Sequence, residues 1–394
     1  VVIIEKQTKQ KLENPKIDGR EIALTHHSVN ILKELGVWRH IPAKLIAAIK
    51  EARVLNGSSK YFLGFTHQQI QKECLGYLIP SNLIKKYLYK RLKNLSNVTL
   101  VDSLIPKYGG NTFNIDNIQN KVVVNVCDVR DTYAMGHLIQ GKDYLFNLAG
   151  QTSHLDSMTD PHTDLDINAA AQLSILEVCR KENPDIKIVF ASTRQLYGRP
   201  DYLPVDEKHP IRPVDVNGIN KLAGEWYHLL YNNVYGIHAC ALRLTNTYGP
   251  RMRVKDARQT FLGIWIRLLI EGRPIKVFGD GLQLRDFNYV DDCVEALLLA
   301  GASDKANGKV YNLGGSEVIG LKDLSKMMVN LGHGGSFELA PFPSERKAID
   351  IGDYYSDFSL ITKELGWVPK IDLKDGLKRT LNYYSTHFSH YWDK

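Results

Sequence analysis

The chain has 394 residues, 44% of them hydrophobic and 24% charged, with five cysteines and a formal net charge of +7 at pH 7. Single cores stop growing at roughly 250–300 residues, so two or three domains are expected. No apolar run approaches the roughly 20 residues a bilayer needs, and no cysteine pair has the spacing of a zinc ribbon or redox dithiol. A membrane span is thereby excluded, and a soluble protein in a reducing, cytoplasmic setting is expected. The charge is local: residues 1–97 hold 17 Lys+Arg against 7 Asp+Glu, a balance of +10, and the remainder holds 33 against 36, a balance of −3. Without an RNA- or DNA-binding motif beside it, this basic segment reads as a solvated surface, and no nucleic-acid partner is expected.

VVIIE, residues 1–5, is a β-branched run closed by an acid and predicts a buried parallel strand. The chain opens on it with no signal-peptide pattern, so an upstream piece is expected to be missing. SVNILKELGVW, residues 28–38, predicts a helix stopped by Gly36, and a second helix is predicted from Ser81 to Lys93, with Leu83, Ile84, Tyr87, Leu88 and Leu92 along one side. NVTLVD, residues 97–102, is a second strand closed by an acid. From there the pattern alternates: KVVVNVCDV, YLFNLAG, the helical NAAAQLSILEVCRKE, IKIVFAST, a long helix around NKLAGEWYHLLYNNVYG, then HACALRL. Such alternation predicts an α/β fold, a doubly wound parallel sheet with helices on both faces. After about Pro250 the rhythm loosens, as for a smaller C-terminal lobe. The expected domains are therefore residues 1–97, 98–250 and 251–394, the last two interleaved.

Dinucleotide-binding βαβ units place glycines after the first strand, where backbone approaches the pyrophosphate, and an acid about 20 residues later on the adenine ribose. Glu5 and Asp102 both look like that acid. For Glu5 the glycines would precede residue 1; for Asp102 they should fall near residues 78–85, which read LIPSNLIK. Gly109–Gly110 comes after Asp102 and reads as a turn. Taken singly, each acid is equally well a solvent-exposed strand end.

From Asp102 onward the sequence resembles the extended short-chain dehydrogenase/reductases, the group of nucleotide-sugar epimerases and dehydratases. The motifs are CDVRD (127–131), NLAGQ (147–151), ASTRQLYG (191–198), LRLTNTYGPR (242–251), RDFNYVDD (285–292) and YNLGG (311–315). Their order and spacing, over nearly 300 residues, carry the resemblance. It implies a Rossmann-like fold lacking its first βα unit, with bound NAD or NADP and a nucleotide-sugar substrate. By resemblance, Asp102 would contact the adenine ribose, Asp128 and Val129 the adenine, and Leu148, Ala149 and Gly150 the middle of the cofactor. Asn246 and Arg285 would contact the sugar-nucleotide and Arg346 its phosphates, although Arg346 lies in looser sequence and reads equally as a surface charge. The family's dimers suggest a homodimer.

Hydride transfer at a sugar carbon needs a base, a partner for the reacting hydroxyl and a cation beside the nicotinamide ribose. Thr193 matches the Ser/Thr position and Lys221 the lysine of the Tyr-x-x-x-Lys motif. The tyrosine position is Asn217, whose amide does not titrate. Tyr197 is a substitute base, or a residue that packs or contacts substrate, with the latter the better reading, and the base stays unassigned. Dehydratases of this type carry Asp-Glu after the Thr, whereas this chain has Arg194 and Gln195, which argues for epimerisation or simple oxidation-reduction.

Residues 1–97 resemble a different group, the FAD-dependent aromatic hydroxylases of the ubiquinone-biosynthesis type, on VVIIEK, DGREIALTHHSVNILKELGVW (18–38) and GYLIP (76–80). That resemblance would place Glu5 on the flavin's adenine ribose and Arg20 near the flavin, but most of that domain is absent and FAD is not expected. His26–His27 is not taken as a metal site, since adjacent histidines rarely converge on one ion. A fusion of two partial genes, or an assembly or prediction artefact of the same appearance, explains the join near residue 97. Three readings result, in order: an NAD(P)-dependent nucleotide-sugar enzyme, a catalytically impaired fusion that keeps the fold but not the cofactor, and a flavin hydroxylase fragment.

Overall fold

The computed structural model describes residues 15–17, 19–55, 61–93, 98–257, 260–331 and 335–392. The chain divides into two compact units, Ile3–Val98 with Asn120–Val123, and Thr99–Gln119 with Val124–Lys394.

The first unit holds β1 (Glu21–Leu24), α1 (His26–Glu34), β2 (Ala47–Ile49), β3 (Glu51–Leu55), β4 (Phe62–Thr66), β5 (Gly76–Pro80) and α2 (Ser81–Lys93). β5 lies between β1 and β2 in an antiparallel sheet, and β3 pairs with β4 as a hairpin. The described strands are thus antiparallel; the parallel strand expected at Val1–Glu5, and Glu5 itself, lie outside the described residues. Helix α1 begins two residues before the sequence pattern suggests because the Thr25 side chain accepts the Ser28 N–H at 3.2 Å, which fixes the first turn. Its apolar stripe buries Val29 and Leu32. His26 Nε2 lies 2.9 Å from the Cys74 carbonyl oxygen, so this ring is tied to the backbone. Arg20 is exposed, and its carbonyl accepts the Ser81 N–H at 2.9 Å.

The larger unit contains β6 (Thr99–Asp102), β7 (Val123–Val126), β8 (Tyr144–Asn147), β9 (Lys187–Thr193), β10 (Ala239–Leu244), β11 (Asn246–Tyr248), β12 (Ile275–Phe278), β13 (Leu284–Tyr289), β14 (Val310–Asn312), β15 (Val318–Gly320) and β16 (Phe337–Ala340). Four of them make a parallel sheet in the order β14-β10-β9-β8. β6 and β7 form a separate ladder, with the Cys127 N–H on the Asp102 carbonyl at 3.1 Å. The helices are α3 (Thr132–Ile139), α4 (His154–Thr159), α5 (Pro161–Leu165), α6 (Ala171–Glu182), α7 (Val216–Tyr235), α8 (Phe261–Ile270), α9 (Val290–Ala302), α10 (Leu321–Asn330), α11 (Ser344–Ala348), α12 (Ser359–Leu365) and α13 (Leu373–His387).

Strand periodicity sends alternate residues of β9 to opposite layers. Ile188 packs with Met135 and Ile139 of α3 and Ile175, Leu176 and Cys179 of α6, whereas Val189 packs with Cys293, Ala296 and Ala300 of α9. The sheet is therefore covered on both faces, the doubly wound arrangement. Each fully buried Ile or Leu contributes about 1.5–3 kcal/mol. A further core, around Trp265, Ile266, Leu324 and Leu377, holds α8, α10 and α13 together within the same compact unit. Between α5 and α6 the helix widens into one π-helical turn, Asp166–Ala170, where Gln172 Nε2 donates to the Ile167 carbonyl at 2.9 Å. No helix among the described residues is long and apolar enough to cross a membrane.

Candidate active site

A cavity of about 1280 Å³ opens beyond the carboxyl ends of β8, β9 and β10, the edge at which open α/β sheets bind ligands. Leu148, His154, Thr193, Arg194, Asn217, Lys221, Asn246, Arg285 and Arg346 all line it. The sequence motifs that end each strand are thus brought to one place.

Helix α7 sets one wall. Its N-cap, Asp215, accepts the Gly218 N–H at 2.6 Å, and Lys221 sits just beyond on the first turns. The Lys221 ammonium donates to the Ala191 carbonyl at 3.1 Å and sits 4.9 Å above the Phe190 ring. Burial pushes its pKa down to about 8, against the opposing pull of Asp164. Opposite it is Gly150. A Cβ at this position would stand 2.7 Å from Lys221 Nζ and 2.9 Å from Asn168 Oδ1, so a side chain there would displace the lysine. Asn168, carried by the π turn, donates to the Gln151 carbonyl at 2.9 Å, while its buried Oδ1 has no hydrogen-bond partner among the described residues. Four residues along α7, Glu225 braces the strands: it accepts from Ser192 Oγ at 2.6 Å and from Arg243 Nε at 3.0 Å, entirely buried.

Asn217 is buried, and both protons of its amide are used, on the Gln151 carbonyl at 2.8 Å and Asp164 Oδ2 at 3.0 Å. Both partners are acceptors, which fixes the nitrogen on that side and leaves Oδ1 as the atom the cavity can meet. Asn217 therefore presents an acceptor that can orient a hydroxyl and cannot remove its proton. Thr193 Oγ1 accepts the Gln195 N–H at 3.2 Å, which leaves its own proton to donate.

Tyr197 does not reach the cavity. It is fully buried, its hydroxyl donates to Asn312 Oδ1 at 2.8 Å and receives Arg243 Nη1 at 2.6 Å, and burial pushes its phenol up to about 12 despite the adjacent guanidinium. Of the roles open to it in the sequence, this burial favours packing over both the base and the substrate contact.

Two residues not singled out in the sequence complete the wall. His154, first residue of α4, lines the cavity with about a third of its side chain exposed, and its Nδ1 is 2.9 Å from Asp215 Oδ2 in a bent approach. Asp215 is itself buried and also accepts Gln195 Nε2 at 2.8 Å. Burial would raise its carboxyl, but hydrogen bonds from His154, Gly218 and Gln195 prevail and hold it below the usual range. The signal in the sequence was a histidine three residues past NLAGQ, capped by Ser153; its partner lies 61 residues away.

The substrate side is basic. Arg194 Nη2 donates to Asn246 Oδ1 at 2.8 Å, and its guanidinium lies 5.1 Å from the Tyr354 ring. Arg285 is buried and bonds the carbonyls of Leu284, at 2.8 Å, and Gly352. Burial and the neighbouring Arg194 push its pKa down to about 10. Arg346, on α11, lies 5.7 Å from the Phe278 ring.

The far end, expected to take the adenosine of a dinucleotide, is built differently. Asp102 is exposed and its Oδ1 accepts the Leu104 N–H at 2.7 Å. Asp128 is paired with Arg130 at 2.7 and 3.0 Å, which holds its carboxyl below the usual range. Val129 packs against the α3–α6 core, Leu148 is half exposed and Ala149 partly buried. Gly109 and Gly110 form a turn, Gly109 at φ +99° and Gly110 tight against Leu104. The ring end thus fits a nicotinamide, with a glycine cradle, a buried cation and an orphaned buried acceptor. Residues 78–97, where a glycine turn ahead of Asp102 would hold the pyrophosphate, contain no glycine.

Comparison with known proteins decides the ancestry. Residues 81–314 match the NAD dependent epimerase/dehydratase family, and the chain is 35% identical over 300 residues to a putative UDP-glucose 4-epimerase of Methanocaldococcus jannaschii, covering 75% of this chain and 92% of that one. The chain belongs to the NAD dependent epimerase/dehydratase family. It is also 28% identical to a dTDP-glucose 4,6-dehydratase of Streptomyces griseus, over 75% of this chain and 87% of that one. Among solved structures, a UDP-glucose 4-epimerase of Thermotoga maritima superposes with a TM-score of 0.67 at 28% identity, over 76% of this chain and 94% of that one. The family match begins at Ser81, ahead of the start expected at residue 98. The flavin hydroxylase resemblance of residues 1–97 gains no support from these comparisons.

Proposed function

We propose that the larger unit is a nucleotide-sugar epimerase or oxidoreductase that works by reversible oxidation of a sugar hydroxyl with NAD or NADP. The observation that carries this reading is that Lys221 and Thr193, with Gly150 packed against the lysine, line the same cavity as Arg285 and Asn246. When bound, a dinucleotide would supply the hydride acceptor, and Gly150, Lys221 and Asn168 are the residues that would hold its ring end. Lys221 presents a cation to its ribose, and the partnerless Asn168 Oδ1 offers an acceptor nearby. Thr193 donates to the oxygen of the reacting hydroxyl, and Asn217 accepts from it or from a neighbouring hydroxyl. Arg285, with Arg346 for the phosphates, matches a pyrophosphate through charge-assisted bonds.

Arg194 and Gln195 occupy the places where a dehydratase of this family has its acid-base pair, so water loss is disfavoured. The relatives named for UDP-glucose epimerisation make a UDP-hexose the first substrate to try. The second reading, a fusion that keeps the fold and has lost its cofactor, rests on the missing glycine turn. Calorimetry of the purified full chain with NAD, NADP and UDP-glucose separates them, with chromatography of the sugar nucleotide after incubation as the second step. Dinucleotide binding and a new epimer are the expected result; absence of binding by both dinucleotides overturns the enzyme reading in favour of the second.

A further inference from the structure

The family's tyrosine position holds an amide, Tyr197 is sealed in the core, and the reading above still requires a group that accepts a hydroxyl proton. We propose that His154, held by Asp215, is that group. This rests on the nucleotide-sugar reading given above.

The geometry sets an imidazole against a buried carboxylate: His154 Nδ1 lies 2.9 Å from Asp215 Oδ2, and a small turn of the ring would straighten the bent approach into a hydrogen bond. A buried carboxylate on Nδ1 orients the ring and stabilises the charge it acquires, which leaves Nε2 to exchange protons with substrate. Nδ1 is buried beside Asp215, about a third of the side chain is exposed, and His154 lines the cavity. Asp215 is rigid because it also caps α7 and accepts from Gln195, and Gln195 is tied through its backbone to Thr193 Oγ1. His154 is therefore two residues removed, by direct contacts, from the hydroxyl that would hold the substrate oxygen. Lys221 is a poorer base despite lining the same cavity, because its nitrogen is engaged by the Ala191 carbonyl.

In the proposed step the substrate O–H bond breaks and its proton passes to Nε2, while the electron pair of the adjacent C–H bond leaves as hydride to the nicotinamide. The sugar carbon is oxidised to a ketone and the dinucleotide is reduced. Return of hydride to the opposite face of the carbon, with the proton handed back from Nε2, completes an epimerisation and leaves both groups as they began.

Two measurements test this. With UDP-glucose and NAD as probes, His154→Ala should lower kcat at least 100-fold, the range of general acid-base catalysis, with NAD affinity by calorimetry unchanged, and added imidazole should restore part of the rate. A kcat within about threefold of the wild-type value overturns the role of His154 alone. A wild-type chain that binds neither dinucleotide overturns the function reading instead. Independently of turnover, long-range ¹H–¹⁵N spectra of the wild-type side chains, assigned by the signal lost in His154→Ala, should show the tautomer protonated on Nδ1. The Nε2-protonated tautomer overturns the proposal even where UDP-glucose is not converted.

Discussion

The two ends of the proposed cofactor path are built on opposite principles. At the ring end the bracing polar groups are buried and held by something else: Lys221 by Ala191, Asn217 by Asp164, Asp215 by Gly218 and Gln195, Glu225 by Arg243. At the adenosine end the acids are solvent-accessible and satisfied locally, Asp102 by the backbone two residues on and Asp128 by Arg130. A catalytic geometry has to be imposed from several elements at once, whereas a cofactor grip depends on one short glycine turn. Loss of a single segment can remove the second and leave the first intact.

The largest expected effect lies at the ring end. Glu225→Ala strands the buried Arg243 guanidinium and should lower stability by about 3–5 kcal/mol in urea unfolding; a loss under about 1 kcal/mol would mean that the ring end is less tightly built than the contrast requires. Lys221→Met should reduce turnover at least about 100-fold yet raise the melting temperature at pH 7, since a buried cation is replaced by a thioether of similar length. The sign comes from the depressed pKa. The folded chain binds the Lys221 proton less readily than the unfolded chain, whose lysine has the ordinary value of 10.5, so this group costs stability when protonated. Wild-type stability should accordingly gain as pH rises from about 8 towards 10.5, and the advantage of Lys221→Met should shrink over the same window.

Gly150→Ala tests the cradle. Its new Cβ meets the flexible end of Lys221 and not backbone, so stability should fall by only about 1 kcal/mol, while turnover falls by roughly tenfold or more as the ammonium is displaced. Equal losses in both would make Gly150 a packing residue. The smallest effects belong to the other end: Asp102→Asn and Asp128→Asn should each change stability by under about 1 kcal/mol, as for exposed charges, and dinucleotide affinity by less than about threefold. A tenfold loss of affinity in Asp102→Asn would show that the adenosine end grips after all.

The fold was legible where local chemistry was complete. The helix Ser81–Lys93 was readable to the residue, and the strand runs gave the parallel sheet, with boundaries shortened by a few residues, as in KVVVNVCDV against Val123–Val126. Thr193, at the end of β9, and Lys221, in the second turn of α7, lie on elements that the pattern already located, whereas Arg285, the second residue of β13, was reached through its motif alone. The features that stayed hidden depend on partners distant in sequence. Tyr197 is removed from the cavity by Asn312 and Arg243, which lie on other strands, and His154 acquires meaning only when folding brings it to Asp215. An acid at a strand end likewise looks the same whether it waits for a ribose or is already satisfied by its neighbours.

The π turn at Asp166–Ala170 has a consequence for how this chain can vary. A π turn is one residue inserted into a helix, and each residue of an α-helix turns its successors by about 100°. The wide turn absorbs most of that rotation, so deleting one residue of this stretch would restore a regular helix with Gln172, Ile175 and Leu176 still on the face packed on the sheet, and would take Asn168 away from Gly150. The region should therefore keep its fold through that deletion and lose the acceptor it holds beside Gly150, a separation that its composition alone does not reveal.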